Sequence, residues 1–218
     1  MSVTFEPGLL RAYFVAGTQD LTGLRDLPSL LDEAIEAGIT AFQFREKGGP
    51  NALTGVAKRE LAEILQKRCL KANIPFIIDD DLDLALELNA DGIHVGQKDD
   101  KIETVVERIS VRQMFVGLSA NTVEQVEAAN QFDRVAYIGS GPIFPTQSKD
   151  DADPAIGGVA GLTDLVKVSK KPVVAIGGIA ENNIDQLRGS GADGAAVISM
   201  ISKSENVDKS VSIIKEVF

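Results

Sequence analysis

The sequence predicts a closed (β/α)8 barrel, and three observations carry that prediction. From Tyr13 onward, short β-branched or aromatic runs alternate eight times with longer stretches of helical period. The runs are apolar at both parities, as in a parallel sheet covered by helices, and eight such units in succession favour closure over an open doubly wound sheet. The length, 218 residues, suits an α/β barrel that folds as one unit. Residues 1–218 are therefore expected to form a single barrel domain, with its functional face at the C-terminal ends of the strands.

In order, Tyr13-Phe14-Val15-Ala16 forms the first strand, and Leu27, Leu30, Leu31, Ala34 and Ile35 make the apolar stripe of the helix after it. Ala41 to Glu46 is the second strand. Its helix turns Leu53, Val56, Ala57, Leu61, Ile64 and Leu65 inward and Lys58, Glu60, Glu63 and Lys67 outward. Pro75 to Asp80 is the third, followed by a short helix with Leu84, Ala85 and Leu88; Ile93-His94-Val95 is the fourth, followed by a stripe of Ile102, Val105, Val106 and Ile109. Phe115 to Ser119 is the fifth, and Thr122 to Gln125 has capping-box spacing for the next helix. Val135 to Ile138 is the sixth. The Pro-, Gly- and Asp-rich loop that follows runs to about Val159, well beyond the roughly two to six residues usual in a βα connection, and so is a candidate for function. Pro172 to Ile176 is the seventh strand, with a short helix near Ile184 and Leu187. Ala195 to Ser199 is the eighth, and Val207, Val211 and Ile214 mark the last helix. Asn89-Ala90-Asp91-Gly92 and Gly191-Ala192-Asp193-Gly194 echo one another as turns at the bottom of the barrel.

Composition narrows the function. A net charge of −10 repels nucleic acid and anionic membranes, so any bound anion needs a local pocket of positive charge. No apolar stretch approaches the roughly 18 residues of a membrane span, and the N-terminus lacks the pattern of a secretory signal. One cysteine, Cys69, and one histidine, His94, exclude an internal disulfide and a His/Cys zinc site, and the chain reads as cytoplasmic. The sequence leaves room for a homo-oligomer.

Candidate site residues lie just past each strand. Asp79-Asp80-Asp81 closes the third, and three adjacent carboxylates need a helix N-terminus, basic side chains or a cation to offset their repulsion. On the second, alternation sends Gln43, Arg45 and Lys47 into the barrel mouth and Phe42 and Phe44 towards the helices. The two cations either meet an anionic ligand or pair with carboxylates such as Asp79 and Asp99. Asp80 and Asp99, at neighbouring strand ends, can begin a Mg²⁺ site completed by water and phosphate oxygens. Ser119 ends the fifth strand; Thr146, Ser148 and Lys149 lie on the long loop; Gly177-Gly178 and Ser199 offer backbone N–H groups to a phosphate. His94 reads as a core histidine with satisfied hydrogen bonds.

Gln43-Phe44-Arg45-Glu46-Lys47, Asp79 to Asp81, Gly96-Gln97-Lys98-Asp99, Gly141 to Thr146 with Lys149, and Ile176-Gly177-Gly178 with Ile198-Ser199 together resemble the thiamine phosphate synthase family along nearly the whole chain. The resemblance implies a (β/α)8 transferase that joins a hydroxymethylpyrimidine diphosphate to a thiazole phosphate with Mg²⁺ and releases pyrophosphate. It places Gln43, Phe44, Arg45, Glu46, Lys47, Asp79, Ser119 and Lys149 on the pyrimidine diphosphate. Thr146, Gln147, Ser148, Gly178, Ile198 and Ser199 fall on the thiazole phosphate, and Asp80 and Asp99 on the metal. Arg45 and Lys149 carry the catalytic charge. Two departures stand out: Asp79 occupies a position where the family usually has Asn, and Ser148 one where it usually has Thr. The related thiazole tautomerases use a histidine after the fifth strand, where this chain has Ser119-Ala120-Asn121. A non-catalytic barrel that binds a thiamine precursor or a phosphate is the other alternative.

Overall fold

Strand β1 (Ala12–Ala16) is buried along its whole length, with Phe14 facing the surrounding helices and Tyr13 and Val15 facing the lumen. The computed structural model describes residues 3–23, 25–47, 52–146 and 156–218. Among them β2 (Ala41–Phe44), β3 (Phe76–Asp79), β4 (Gly92–Val95), β5 (Phe115–Ser119), β6 (Val135–Ser140), β7 (Val173–Ile176) and β8 (Gly194–Val197) follow in order. Each pairs in parallel with the one before, and β8 returns to β1 through Ala12↔Ala195 and Phe14↔Val197, which closes the barrel. Helices α1 (Leu27–Ala37), α2 (Gly55–Ala72), α3 (Leu82–Leu88), α4 (Ile102–Arg108), α5 (Val123–Ala129), α6 (Gly158–Val168), α7 (Ser199–Ser202) and α8 (Val207–Val217) accompany the strands. The outer core lies between strands and helices; a smaller one of Tyr13, Val15, Ala41, Ile77, Tyr137, Val174 and Ala196 fills the lumen.

The bottom turns do more than reverse the chain. Asp91 accepts from the N–H of Phe76 at 2.9 Å, and Asp193 from that of Val173 at 2.8 Å. Each Asp of the repeated Ala-Asp-Gly therefore clamps the start of the neighbouring strand and fixes the stagger of the pair. The Gly that follows is equally constrained: a Cβ on Gly194 would lie 1.8 Å from the carbonyl oxygen of Leu10.

Several boundaries and faces differ from expectation. Helix α2 turns Ala62, Leu65 and Cys69 inward, while Val56 is 69% exposed and Ile64 41%. Lys58, expected outside, leans in on this face to meet Asp81 at 2.7 Å. β8 ends at Val197, and Ser199 opens α7 instead of closing the strand. The link from β7 to β8 carries only a 3-10 turn at Ile184–Leu187. At α5 half of the expected capping box forms: Thr122 accepts from the N–H of Gln125, but the Gln125 side chain accepts from the N–H of Asn121. Phe5, ahead of the first strand, stacks on Tyr137 at 5.7 Å and meets Phe115 at 5.3 Å, plugging the lumen from below. No described helix is long and apolar enough to cross a membrane.

Candidate active site

The C-terminal ends of the strands line one cleft, with Arg45 and Lys47 just past β2, Asp79 ending β3 and Asp80 following it, and Gly96 to Asp99 following β4. Ser119 and Asn121 line it beyond β5, Gly141, Pro142 and Thr146 beyond β6, Ile176 to Ile179 at β7, and Ala196 to Ser199 at β8.

The three consecutive carboxylates go to three different cations. Asp79 meets Arg45 at 3.4 Å, with both side chains 6% exposed; Asp80 meets Lys47 at 2.5 Å; Asp81 meets Lys58. Divergence is possible because Asp80 adopts a left-handed φ of 61°, uncommon for a residue with a side chain and typical of functional sites. Lys47 also reaches Asp99 at 3.1 Å, so one ammonium group holds both carboxylates. Burial and the charge of Asp79 push Asp80 up from the ordinary carboxylate range. Burial acts the same way on Asp99, but its bonds to Asp80, Lys47 and the Gly96 N–H outweigh it and hold that carboxyl low. Burial opposes the Lys47 charge, and the two carboxylates more than restore it.

Asp80 and Asp99 are hard oxygen donors that already share one cation. Among the described residues, no group of three or more His, Cys, Asp or Glu side chains is gathered to form a full protein cage. This donor set suits Mg²⁺, which takes one or two carboxylates and completes its octahedron with water and phosphate oxygens.

Across the cleft the backbone does the work. Gly177 and Gly178 have φ of 95° and 69°, and a Cβ on Gly178 would lie 2.5 Å from the carbonyl oxygen of Phe144. The segment after β6 packs on this turn, with the N–H of Phe144 donating to Gly177 O at 3.1 Å. Asn183, absent from the expected set, pins the turn from behind: its amide donates to Gly178 O and its carbonyl accepts from the Ala180 N–H, each at 2.8 Å.

Three residues expected on the substrate do not line the cleft. Phe44 is buried among the helices, as its strand parity dictates. Gln43 is 4% exposed and donates downward to Tyr13. Glu46 points sideways to accept from the Thr18 N–H, the Thr18 hydroxyl and the Leu53 N–H, tying two loops together. Gln147, Ser148 and Lys149 lie outside the described residues. The expected set also omitted Asn121 and Gln97, which line the cleft. Asn121 accepts from the Gly141 N–H at 3.0 Å, and Gln97 donates to Ser119 O. A polar residue two places past the end of β5 was the available signal for Asn121. His94 is hydrogen-bonded at both nitrogens, as expected, and also lines the cleft floor.

The model of a family described as thiamine monophosphate synthase matches residues 12–201. The chain is 51% identical over 218 residues to the thiamine-phosphate synthase of Levilactobacillus brevis, covering 100% of this chain and 99% of that one. The chain belongs to the thiamine monophosphate synthase family. Its counterpart in Lactiplantibacillus plantarum is 52% identical over 211 residues, 97% of this chain and 95% of the relative. Among solved structures, the thiamine phosphate pyrophosphorylase from Pyrococcus furiosus superposes with a TM-score of 0.82 at 31% identity, over 97% of this chain and 98% of that one. A transferase barrel of this family accounts for a cleft whose polar groups come from separate strands.

Proposed function

We propose that this chain, working as one barrel domain over residues 1–218, is a thiamine-phosphate synthase. It joins 4-amino-2-methyl-5-hydroxymethylpyrimidine diphosphate to thiazole phosphate and releases pyrophosphate. The observation that carries the reading is the charge arrangement at one rim, where Arg45 and Lys47 beyond β2 meet Asp79, Asp80 and Asp99 in a family member. Asp80 and Asp99 would hold Mg²⁺, which when bound supplies positive charge to the diphosphate oxygens.

The bond between the pyrimidinylmethyl carbon and the diphosphate oxygen breaks first, and the electron pair leaves with pyrophosphate. The thiazole nitrogen then donates its lone pair to the methylene cation, forming the C–N bond. Arg45 and Lys47 stabilise the charge that grows on the leaving group, and Lys149 joins them from the long loop. Ser119 and Asp79 position the pyrimidine diphosphate. Thr146, Gln147, Ser148, the Gly178 and Ser199 backbone and Ile198 hold the thiazole phosphate. The side chains of Gln43, Phe44 and Glu46 shape the wall from behind. No general base is required, so positioning and electrostatics suffice.

The test is a steady-state assay with both substrates and Mg²⁺. The expected products are thiamine phosphate and pyrophosphate in equal amounts. Absence of turnover by a folded protein under those conditions would overturn the activity in favour of a binding-only barrel.

A further inference from the structure

Below the cleft, polar side chains from separate strands form a continuous line across the lumen. Gln43 of β2 donates from its amide nitrogen to the Tyr13 hydroxyl of β1 at 2.7 Å. Tyr13 and Tyr137 of β6 are 2.8 Å apart, hydroxyl to hydroxyl. Tyr137 lies 3.0 Å from Nδ1 of His94 on β4, and His94 Nε2 lies 3.0 Å from the Ser119 hydroxyl of β5. The line reaches the cleft at His94, on its floor, and ends there at Ser119.

We propose that this line is a one-way hydrogen-bond relay that fixes His94 in its Nε2–H tautomer and so leaves the Ser119 proton available for donation to a bound anion. The direction follows from counting protons. An amide nitrogen only donates, so Tyr13 accepts from Gln43, and its own buried proton is kept hydrogen-bonded by being given to Tyr137. Tyr137, having accepted, gives its own to Nδ1. A neutral imidazole that accepts at Nδ1 carries its proton on Nε2 and donates it to Ser119 Oγ. The serine then accepts from below, and its proton points to the cleft. Burial raises the pKa of both phenols above the ordinary range, so each keeps the proton the count requires.

The strands leave room for this line. A Cβ on Gly117 of β5 would lie 2.2 Å from Tyr137 Cζ and 2.5 Å from His94 Nδ1, and one on Gly139 of β6 3.0 Å from His94 Cε1. Two positions without side chains thus bracket the imidazole. The sense of the relay also matches the cleft: the opposite sense would spend the serine proton on His94 and present a lone pair to an anion. His94 and Tyr137 are positioning residues, acting through Ser119.

This rests on the reading of the cleft as a diphosphate site, but part of the test does not. The chain contains one histidine, so ¹⁵N-histidine labelling of untagged protein gives one imidazole to assign. Two-bond ¹⁵N–¹H correlations in the resting protein should show Nε2 protonated and Nδ1 bare. Tyr137→Phe removes the donor to Nδ1 and should turn that spectrum into a mixture of tautomers. Calorimetry with pyrophosphate and Mg²⁺ reads the consequence. Tyr137→Phe should raise the Kd about tenfold, the scale of one hydrogen bond to a charged group, and should add nothing in a Ser119→Ala background. A resting Nδ1–H tautomer, or equal losses in the two backgrounds, overturns the relay. An absence of thiamine phosphate synthesis with the tautomer as expected would sink the activity and leave the relay standing.

Discussion

Lys47 touches Asp80 and Asp99 at once, so the two carboxylates already grip a common charge. Replacing either removes one of the two carboxylates proposed to hold the divalent ion, and Asp80→Ala or Asp99→Ala should lower Mg²⁺-dependent turnover by about a hundredfold or more with the fold kept. Circular dichroism and a Mg²⁺ titration of the rate check this; unchanged turnover in either variant removes the metal assignment. Asp79 behaves differently, because its buried contact with Arg45 neutralises a guanidinium that an incoming diphosphate would otherwise meet. Asp79→Asn should lower the KM for the diphosphate substrate about tenfold, the scale of one regained charge-assisted bond. The empty protein should melt earlier, since Arg45 then lies buried without its counterion. An unaltered KM would show that Asp79 leaves Arg45 as available as Asn would. At this scale the sequence revealed the charged types and the strand parity of β2, which separated Arg45 and Lys47 from Phe44. It could not tell which cation each of Asp79, Asp80 and Asp81 meets, because that depends on the left-handed turn at Asp80. Nor could it show that Glu46 is occupied by Thr18 and Leu53.

Helix α3 begins at the site, and its cap holds the acidic turn in place. Asp81 accepts from the Leu84 N–H at 3.0 Å and pairs with Lys58. Burial alone would raise the Asp81 pKa, but Lys58 and the Leu84 N–H outweigh it and hold the carboxyl below the usual range. A carboxyl whose folded pKa is depressed contributes stability fully above its unfolded value, near 3.9, and loses it as pH falls through the lower folded value. Asp81→Ala should therefore cost about 1–2 kcal/mol at pH 7, roughly 3–6 °C in Tm, with the gap from wild type closing in acid below about pH 4. Thermal melts across pH decide it; a gap that persists in acid would assign the loss to packing instead of charge. Element order and type were legible because period-two and period-3.6 runs alternate cleanly. Apolar spacing alone allowed Val56 and Ile64 into the α2 stripe, whereas the packed helix buries Ala62, Leu65 and Cys69 and leaves those two exposed. The Ala-Asp-Gly echo was visible as a turn, but its clamping of Phe76 and Val173 requires the neighbouring strand to be in place.

The barrel as a whole must fill its lumen, and it does so in layers: a charged rim, the hydrogen-bonded line from Gln43 to Ser119, then an aromatic base. Phe5 completes that base, stacked within 12° of parallel on Tyr137 and tilted against Phe115. The repeat that predicts the barrel begins at Tyr13, so nothing in its periodicity points to a ring eight residues earlier; only closure creates the hole that Phe5 fills. Because Phe5 lies at the N-terminal ends of the strands, its contribution should be to stability and not to chemistry. A fully buried Phe→Ala change costs roughly 3–5 kcal/mol, and a ring that keeps some exposure should cost less, about 2 kcal/mol. Phe5→Ala should thus lower Tm by about 4–8 °C while kcat/KM at 25 °C stays within about twofold of wild type. Tyr137 still leans on Phe115 and still has the space left by Gly117, so the line to Ser119 should survive. A melt paired with a steady-state assay measures both. Lost turnover in a variant that remains folded at the assay temperature would mean that the aromatic base sets the geometry of the rim and does not merely support it.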